Sequence, residues 1–195
     1  MATLLRWTSA DLEHFPDDGK RREIIDGDLF VSKQPDWYHQ AVCGRISGLL
    51  DAWGMPTSAG MAAVAPGLIF ADDDDVAPDV VWASTGRLAA ILHGGKLYGA
   101  PELVVEVLSP GTKNLQRDRE TKLKLYARRG VDEYWIVNWP HHTIEIYRRV
   151  DDILAAVATL RRGDTLTSPL LPGFTAPIER LFAGIPFGAP DDAGL

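Results

Sequence analysis

The sequence predicts an α/β (α+β) fold, a mixed central β-sheet flanked by helices. Three observations carry this. Leu103–Leu108 is a nearly continuous apolar run rich in Val, as a strand covered on both faces requires. Val131–Asn138 is a second buried run, apolar and aromatic through Tyr134, Trp135, Ile136 and Val137. Tyr38–Trp53 is of the other kind: Val42, Ile46, Leu49, Leu50 and Trp53 recur at helical spacing and form one apolar face. Strands, hairpins and helices intermixed give a mixed sheet with helices against it, the two apolar runs being its central strands.

Taken in order, Thr8-Ser9-Ala10-Asp11 caps a short helix through Phe15, which Pro16-Asp17-Asp18-Gly19 ends. Arg22–Ser32 reads as a hairpin turning at Asp26-Gly27. After the helix over Tyr38–Trp53, Gly54 and Pro56 are stop signals. Met61–Ala71 is strand-like, Asp72–Asp75 is a solvated polar turn, and Val76–Trp82 is the next strand. Thr85–His93 is a short helix or turn. The central strand is stopped by Ser109, Pro110 and Gly111, and a basic helix follows and closes at Gly130. Thr143–Arg149 alternates as a half-exposed strand does, and Ile153–Leu160 is another strand. Leu170–Phe182 reads as irregular, with a short helix near Ile178–Phe182. Residues 1–183 form one expected domain, and 184–195, rich in Gly, Pro, Ala and Asp, a loosely held tail.

Composition narrows the function. No apolar run approaches the roughly 18 residues that cross a bilayer, and no basic segment followed by an apolar stretch opens the chain, so a cytoplasmic location is expected. Cys43 is the single cysteine, which excludes a disulfide framework or a cysteine-based zinc site within one chain. The formal net charge of −7 argues against nucleic-acid binding by the whole surface. Charge is uneven, however. Lys113, Arg117, Arg119, Lys122, Lys124, Arg128 and Arg129 fall in one short segment, so a DNA site belongs on this basic helix, residues 113–129.

Four ionisable groups sit where burial is costly: Glu23 in the first strand, Asp79 in Pro78-Asp79-Val80-Val81, Glu106 inside the central strand, and Lys122 on the helix after it. Two carboxylates on neighbouring strands, converging at strand ends, make an oxygen-ligand site for Mg²⁺ or Mn²⁺. A nearby ammonium orients a water or offsets charge developing on a phosphodiester. Each residue has a plainer reading. Asp79 after a proline is a turn residue, Glu106 the partner of a structural arginine, and Asp118 with Lys122 a surface ion pair. His39, at a helix start, is a satisfied polar residue.

Together these blocks resemble a known bacterial family. The order Glu23-Ile24-Ile25-Asp26-Gly27, Tyr38-His39-Gln40, Pro78-Asp79, Leu103 through Pro110, Asp118 and Lys122 ahead of Leu125-Tyr126, then Gly130 through Val137, is similar to the Uma-two family within the PD-(D/E)XK nuclease superfamily. The resemblance spans roughly Trp7 to Phe182. It implies a restriction-endonuclease-like core, Asp79 and Glu106 as metal ligands with Glu23 as a further acid, and Mg²⁺ or Mn²⁺ as cofactor. The superfamily lysine two residues after the second acid is missing, because Leu108 stands there. Lys122 matches a family lysine on the next helix, with Lys124 the fallback, and His39 matches an accessory position. A metal-dependent DNA endonuclease is the expected function. The alternative is an inactive nuclease-fold module that binds nucleic acid or a protein partner. Pairing into a homodimer is expected by analogy, with Trp37, Trp53 and Trp139 as exposed aromatics to support it.

Overall fold

The computed structural model describes residues 6–109 and 116–188. The expected strand stop at Pro110-Gly111, the helix residues Lys113 and Leu115, and the tail from 189 onward lie outside these. Two six-stranded sheets form the body. One runs in the order β12 (Ile153–Leu160), β11 (Thr143–Val150), β10 (Glu133–Asn138), β9 (Leu103–Val107), β6 (Val80–Ser84), β3 (Gly60–Val64). The two apolar runs, β9 and β10, are indeed central, and they pair in parallel, Val104 opposite Tyr134 and Glu106 opposite Ile136. The other sheet runs β2 (Asp28–Ser32), β1 (Arg21–Ile25), β5 (Asp74–Val76), β4 (Leu68–Ala71), β8 (Lys96–Leu97), β7 (Leu92–His93).

Alternation along the central strands decides which layer each residue joins. Leu103, Val105 and Val107 of β9, Trp135 and Val137 of β10 and Trp82 of β6 pack with Val42, Cys43, Ile46 and Leu50 of the long helix α2 (Trp37–Gly54). The hairpin β13 (Thr165–Ser168) and β14 (Leu171–Pro177) joins this layer through Leu166, Leu171 and Phe174. Val104 and Leu108, with Val81, Tyr134 and Ile136, face the opposite way, towards Ile25, Leu68 and Val76 of the second sheet. Leu125 and Tyr126 of the basic helix close that core. Glu106, between Val105 and Val107, therefore belongs to the face shared by the second sheet and the basic helix.

The hairpin β1–β2 turns at Asp26 and Gly27, both at positive φ (52° and 74°), as the mirror-image two-residue turn requires. The short helix α1 (Ser9–Leu12) is closed by the Thr8–Asp11 capping box. Helix α3 (Thr85–Ile91) and α5 (Ile178–Leu181) follow expectation. The basic helix begins as a π-helical turn, Arg117–Lys122, and continues as α4 (Leu123–Arg129). The wide turn keeps Asp118 and Lys122 on the same buried side as Leu125 and Tyr126. Such π-segments recur at functional sites.

Several expectations are corrected. Met61–Ala71 is two strands, broken where Ala65 takes a positive φ (49°) before Pro66 and Gly67. The strand expected over Val76–Trp82 is likewise divided at Ala77-Pro78-Asp79, because Pro78 cannot donate to a ladder. Asp72–Asp75 is only partly a solvated turn: Asp74 is buried in β5, held by Arg128 and Arg129 and by the Asp26 N–H at 2.8 Å. Leu170–Phe182 is not irregular but contains β14. Of the three tryptophans expected at a dimer surface, Trp37 is 82% exposed, Trp53 packs on Trp82 and Phe174, and Trp139 is fully buried. At the start of the expected tail, Ile185 packs into the core and Gly188 N–H donates to Pro140 O at 2.7 Å. Among the described residues no helix is long and apolar enough to cross a membrane.

One tight position gives a test of this packing. A Cβ at Gly60 would collide with the backbone carbonyl of Ala83 and lie 2.8 Å from Ser84 Cα, across the β3–β6 pair. Backbone cannot swing aside as a side chain can. Gly60→Ala is expected to cost about 1–3 kcal/mol, read as a lowered denaturant midpoint.

Candidate active site

Register brings the acids together. β6 runs antiparallel to β9 with Val80 opposite Val105. One further step along that register sets Asp79 beside Glu106. The Val107 N–H confirms the approach by donating to Asp79 Oδ2 at 2.8 Å. Glu23 arrives from β1 of the other sheet, and Lys122 from the π-turn. The Lys122 Nζ lies 2.8 Å from Glu23 Oε1 and 2.8 Å from Glu106 Oε1. Tyr126 O–H also donates to Glu106 Oε1 at 2.7 Å, and the Ala77 N–H donates to Glu23 Oε1 at 3.1 Å.

Asp79 has a second set of partners. Its Oδ1 is 2.7 Å from Arg21 Nη1, and its Oδ2 is 3.2 Å from His39 Nε2. The His39 Nδ1 is in turn 3.5 Å from Cys43 Sγ, one helical turn on. His39, Cys43 and Asp79 are the group of three potential metal donors, among the described residues, whose ligand atoms come within 4.8 Å of one another. The imidazole nevertheless sits between thiol and carboxylate, one nitrogen to each, which is the order of a hydrogen-bond relay. Burial pushes the Cys43 thiol well above its ordinary range, so it is no nucleophile.

A cavity of about 440 Å³ opens at this point. Asp79, Glu106, His39 and Asp118 line it, with Arg21, Lys33 and Arg117 as its cations. Glu23 and Lys122 do not line it but lie fully buried behind Glu106. Lys124 is exposed on the outer side of α4. Asp118 and Lys122 are not a surface ion pair, since both are buried: Asp118 pairs with Arg117 at 3.2 Å while Lys122 takes Glu23 and Glu106. The rest of the basic segment is largely neutralised within the fold, Arg119 by Glu145 and Arg128 and Arg129 by Asp74.

Charge is crowded, and the acids respond differently. Burial would raise Asp79, but His39 and Arg21 more than reverse it and hold the carboxyl well below the usual range. Burial would raise Glu23 too, yet Lys122, Arg21 and Arg117 pull it down. Burial would lower Lys122, and Glu106 and Glu23 keep it charged. For His39 burial is outweighed by the bond to Asp79, so its pKa is raised. Glu106 goes the other way. Burial dominates, Lys122 opposes it, and the neighbouring Asp79, Asp118 and Glu23 reinforce it, pushing the carboxyl up to about 8.

That raised value has a sign for stability. A carboxyl at about 8 in the fold and 4.5 ordinarily contributes stability that is complete below pH 4.5 and lost as pH rises through 8. In chelator, the melting temperature of Glu106→Gln is therefore expected to gain on wild type steadily between pH 4.5 and 8. A difference independent of pH would refute a perturbed Glu106.

Arg21 is missed by the sequence reading, and Arg117 and Tyr126 enter it only as part of the basic segment and of the resemblance, since nothing local marks an arginine or tyrosine as facing a carboxylate. Only the period-two relation of Arg21 to Glu23 on β1 could have hinted at it.

Comparisons with known proteins agree with this architecture. A crystal structure titled as "a putative nuclease belonging to DUF820", from Anabaena variabilis, superposes with a TM-score of 0.72 at 16% identity, covering 91% of this chain and 98% of that one. At that identity the match speaks for the fold. No curated protein matches the chain. The model of the Uma2 family, described as "Putative restriction endonuclease", matches residues 9–179, and by that match the chain belongs to the Uma2 family.

Proposed function

We propose that the chain is a metal-dependent endonuclease that hydrolyses phosphodiester bonds in DNA, with Mg²⁺ or Mn²⁺ held by Asp79 and Glu106 and with Glu23 as the acid behind them. The observation that carries this is the meeting of Asp79 and Glu106 in one cavity bordered by Arg21, Lys33 and Arg117. The donors suit a hard cation. Glu106 Oε1 is taken by Lys122 and Tyr126, while Oε2 has no hydrogen-bond partner among the described residues. Glu23 Oε2 is buried without a hydrogen bond as well, but faces Arg117 Nη1 at 3.8 Å. A carboxylate oxygen left open, as Glu106 Oε2 is, is costly unless a cation meets it. His39 has both nitrogens engaged, on Asp79 and Cys43, so the donors are oxygens, which suit Mn²⁺ as well as Mg²⁺.

When bound, such an ion lowers the pKa of a water and offsets charge on the phosphoryl group. Lys122 is a positioning residue: its ammonium fixes Oε1 of Glu106, leaving Oε2 for the cavity, and keeps positive potential beneath the attacking water. His39 and the Val107 N–H fix the other carboxylate in the same way. Nucleic acid meets the cavity cations rather than the outer face of the basic helix.

The test is nicking of supercoiled plasmid by purified protein. Cleavage is expected with Mg²⁺ or Mn²⁺ and none with chelator; cleavage that chelator leaves untouched would sink the metal reading. A second reading, a non-catalytic module that binds nucleic acid or a protein partner, is favoured by one fact: both oxygens of Asp79 are already satisfied by Arg21, His39 and Val107. Calorimetry with Mn²⁺ separates the two, because the module has no need to bind it.

A further inference from the structure

We propose that Arg21 and a divalent cation compete for Asp79, and that the displaced guanidinium then takes a backbone phosphate of the nucleic acid. This rests on the nuclease reading and adds a residue to it. Arg21 lines the cavity, and its Nη1 donates to Asp79 Oδ1 at 2.7 Å. Its Nε and Nη2 are buried and have no hydrogen-bond partner among the described residues. Buried donors left unpaired are rare and unfavourable, and a guanidinium with its Nε–Nη2 edge free is shaped for the paired oxygens of a phosphate.

The carboxylate can change partner on one side only. Asp79 Oδ2 is fixed by the Val107 N–H and His39. Among the described residues Oδ1 is held by Arg21 alone, and a guanidinium at 2.7 Å and a divalent cation on the same oxygen would repel each other strongly at such depth. Strand β1 stays in place during the exchange, because Glu23, on the same face two residues on, is tied to Lys122. The long Arg21 side chain can therefore move without its backbone. A purely structural arginine would be replaceable by any cation that neutralises Asp79; an exchanging one requires the fork.

The two ligands should respond to Arg21→Gln in opposite directions. Mn²⁺ affinity, by calorimetry, is expected to tighten about tenfold as a competing charge is removed, a change typical of one close cation on a buried carboxylate. Affinity for a fluorescently labelled DNA duplex, measured by anisotropy in Ca²⁺, is expected to weaken about tenfold with the loss of one phosphate contact. Arg21→Lys should keep Mn²⁺ affinity near wild type and still bind the duplex weakly. Weaker Mn²⁺ binding by Arg21→Gln, or unchanged duplex binding, would overturn the exchange. Wild-type protein gives a readout that needs no variant: the Arg21 Nε–H resonance should shift on adding Mg²⁺ and again on adding duplex, and a resonance that stays still overturns the proposal. Wild type that binds neither Mn²⁺ nor duplex removes the nuclease reading as well. Wild type that binds both, alongside a variant indistinguishable from it, removes the exchange alone.

Discussion

Glu106→Gln is expected to lower divalent-cation-dependent DNA cleavage by on the order of 10³-fold while leaving the chain folded. The substitution is the mildest that removes the negative charge. An amide oxygen still accepts from the Lys122 ammonium and the Tyr126 hydroxyl, both on Oε1. The amide nitrogen takes the place of Oε2, which has no donor among the described residues to collide with. What is lost is an anionic oxygen at the cavity, and hard cations require such oxygens. Plasmid nicking with circular dichroism on the same preparation checks both halves. A folded variant that cuts as fast as wild type would take Glu106 out of the chemistry.

Lys122→Met should have the largest effect on stability. The ammonium is fully buried, 2.8 Å from a carboxylate on each side. Removing one member of a buried ion cluster leaves the others uncompensated, which costs about 3–5 kcal/mol. In a chain of this size that lowers the melting temperature by on the order of 10 °C. The loss should be partly recovered in the double variant Lys122→Met, Glu23→Gln, because the charge stranded on Glu23 is then gone, while Glu106, already pushed up to about 8 by burial, takes a proton. If the single variant melts within 2 °C of wild type, as roughly 0.5–1 kcal/mol would give, the ammonium does not bridge the two sheets.

Much of the fold is legible in the sequence alone. The hairpin at Asp26-Gly27, helix α2 and the two central strands follow from turn chemistry and hydrophobic period, which are local. Asp79 and Glu106 stand out in the sequence because a charge inside an apolar run is expensive and needs a reason, whereas Lys122 rests on the resemblance and on a helix that returns an ammonium to the sheet. What failed was partner choice. The acidic run at Asp72–Asp75 looked solvated because its counter-ions, Arg128 and Arg129, lie more than fifty residues away in the chain. For the same reason the basic helix looked like an open DNA surface, although the fold neutralises most of it from within. Asp118 and Lys122 looked like neighbours at the surface, and burial gave each a different partner. The long strand expected over Met61–Ala71 failed for a local cause, the turn at Ala65-Pro66-Gly67, whose signal was present and outweighed by the apolar residues around it.

The contacts that make the cavity are also the stitches between the sheets. Arg21 to Asp79 spans 58 positions of chain, and Lys122 joins a residue of the first hairpin to the central strand. Such long-range closures come late in folding, because the loops between them must be ordered first. Refolding from urea should therefore restore helical signal before it restores cation binding. The delay between the two would clock the docking of one half of the molecule onto the other, with the buried ion cluster serving as its latch.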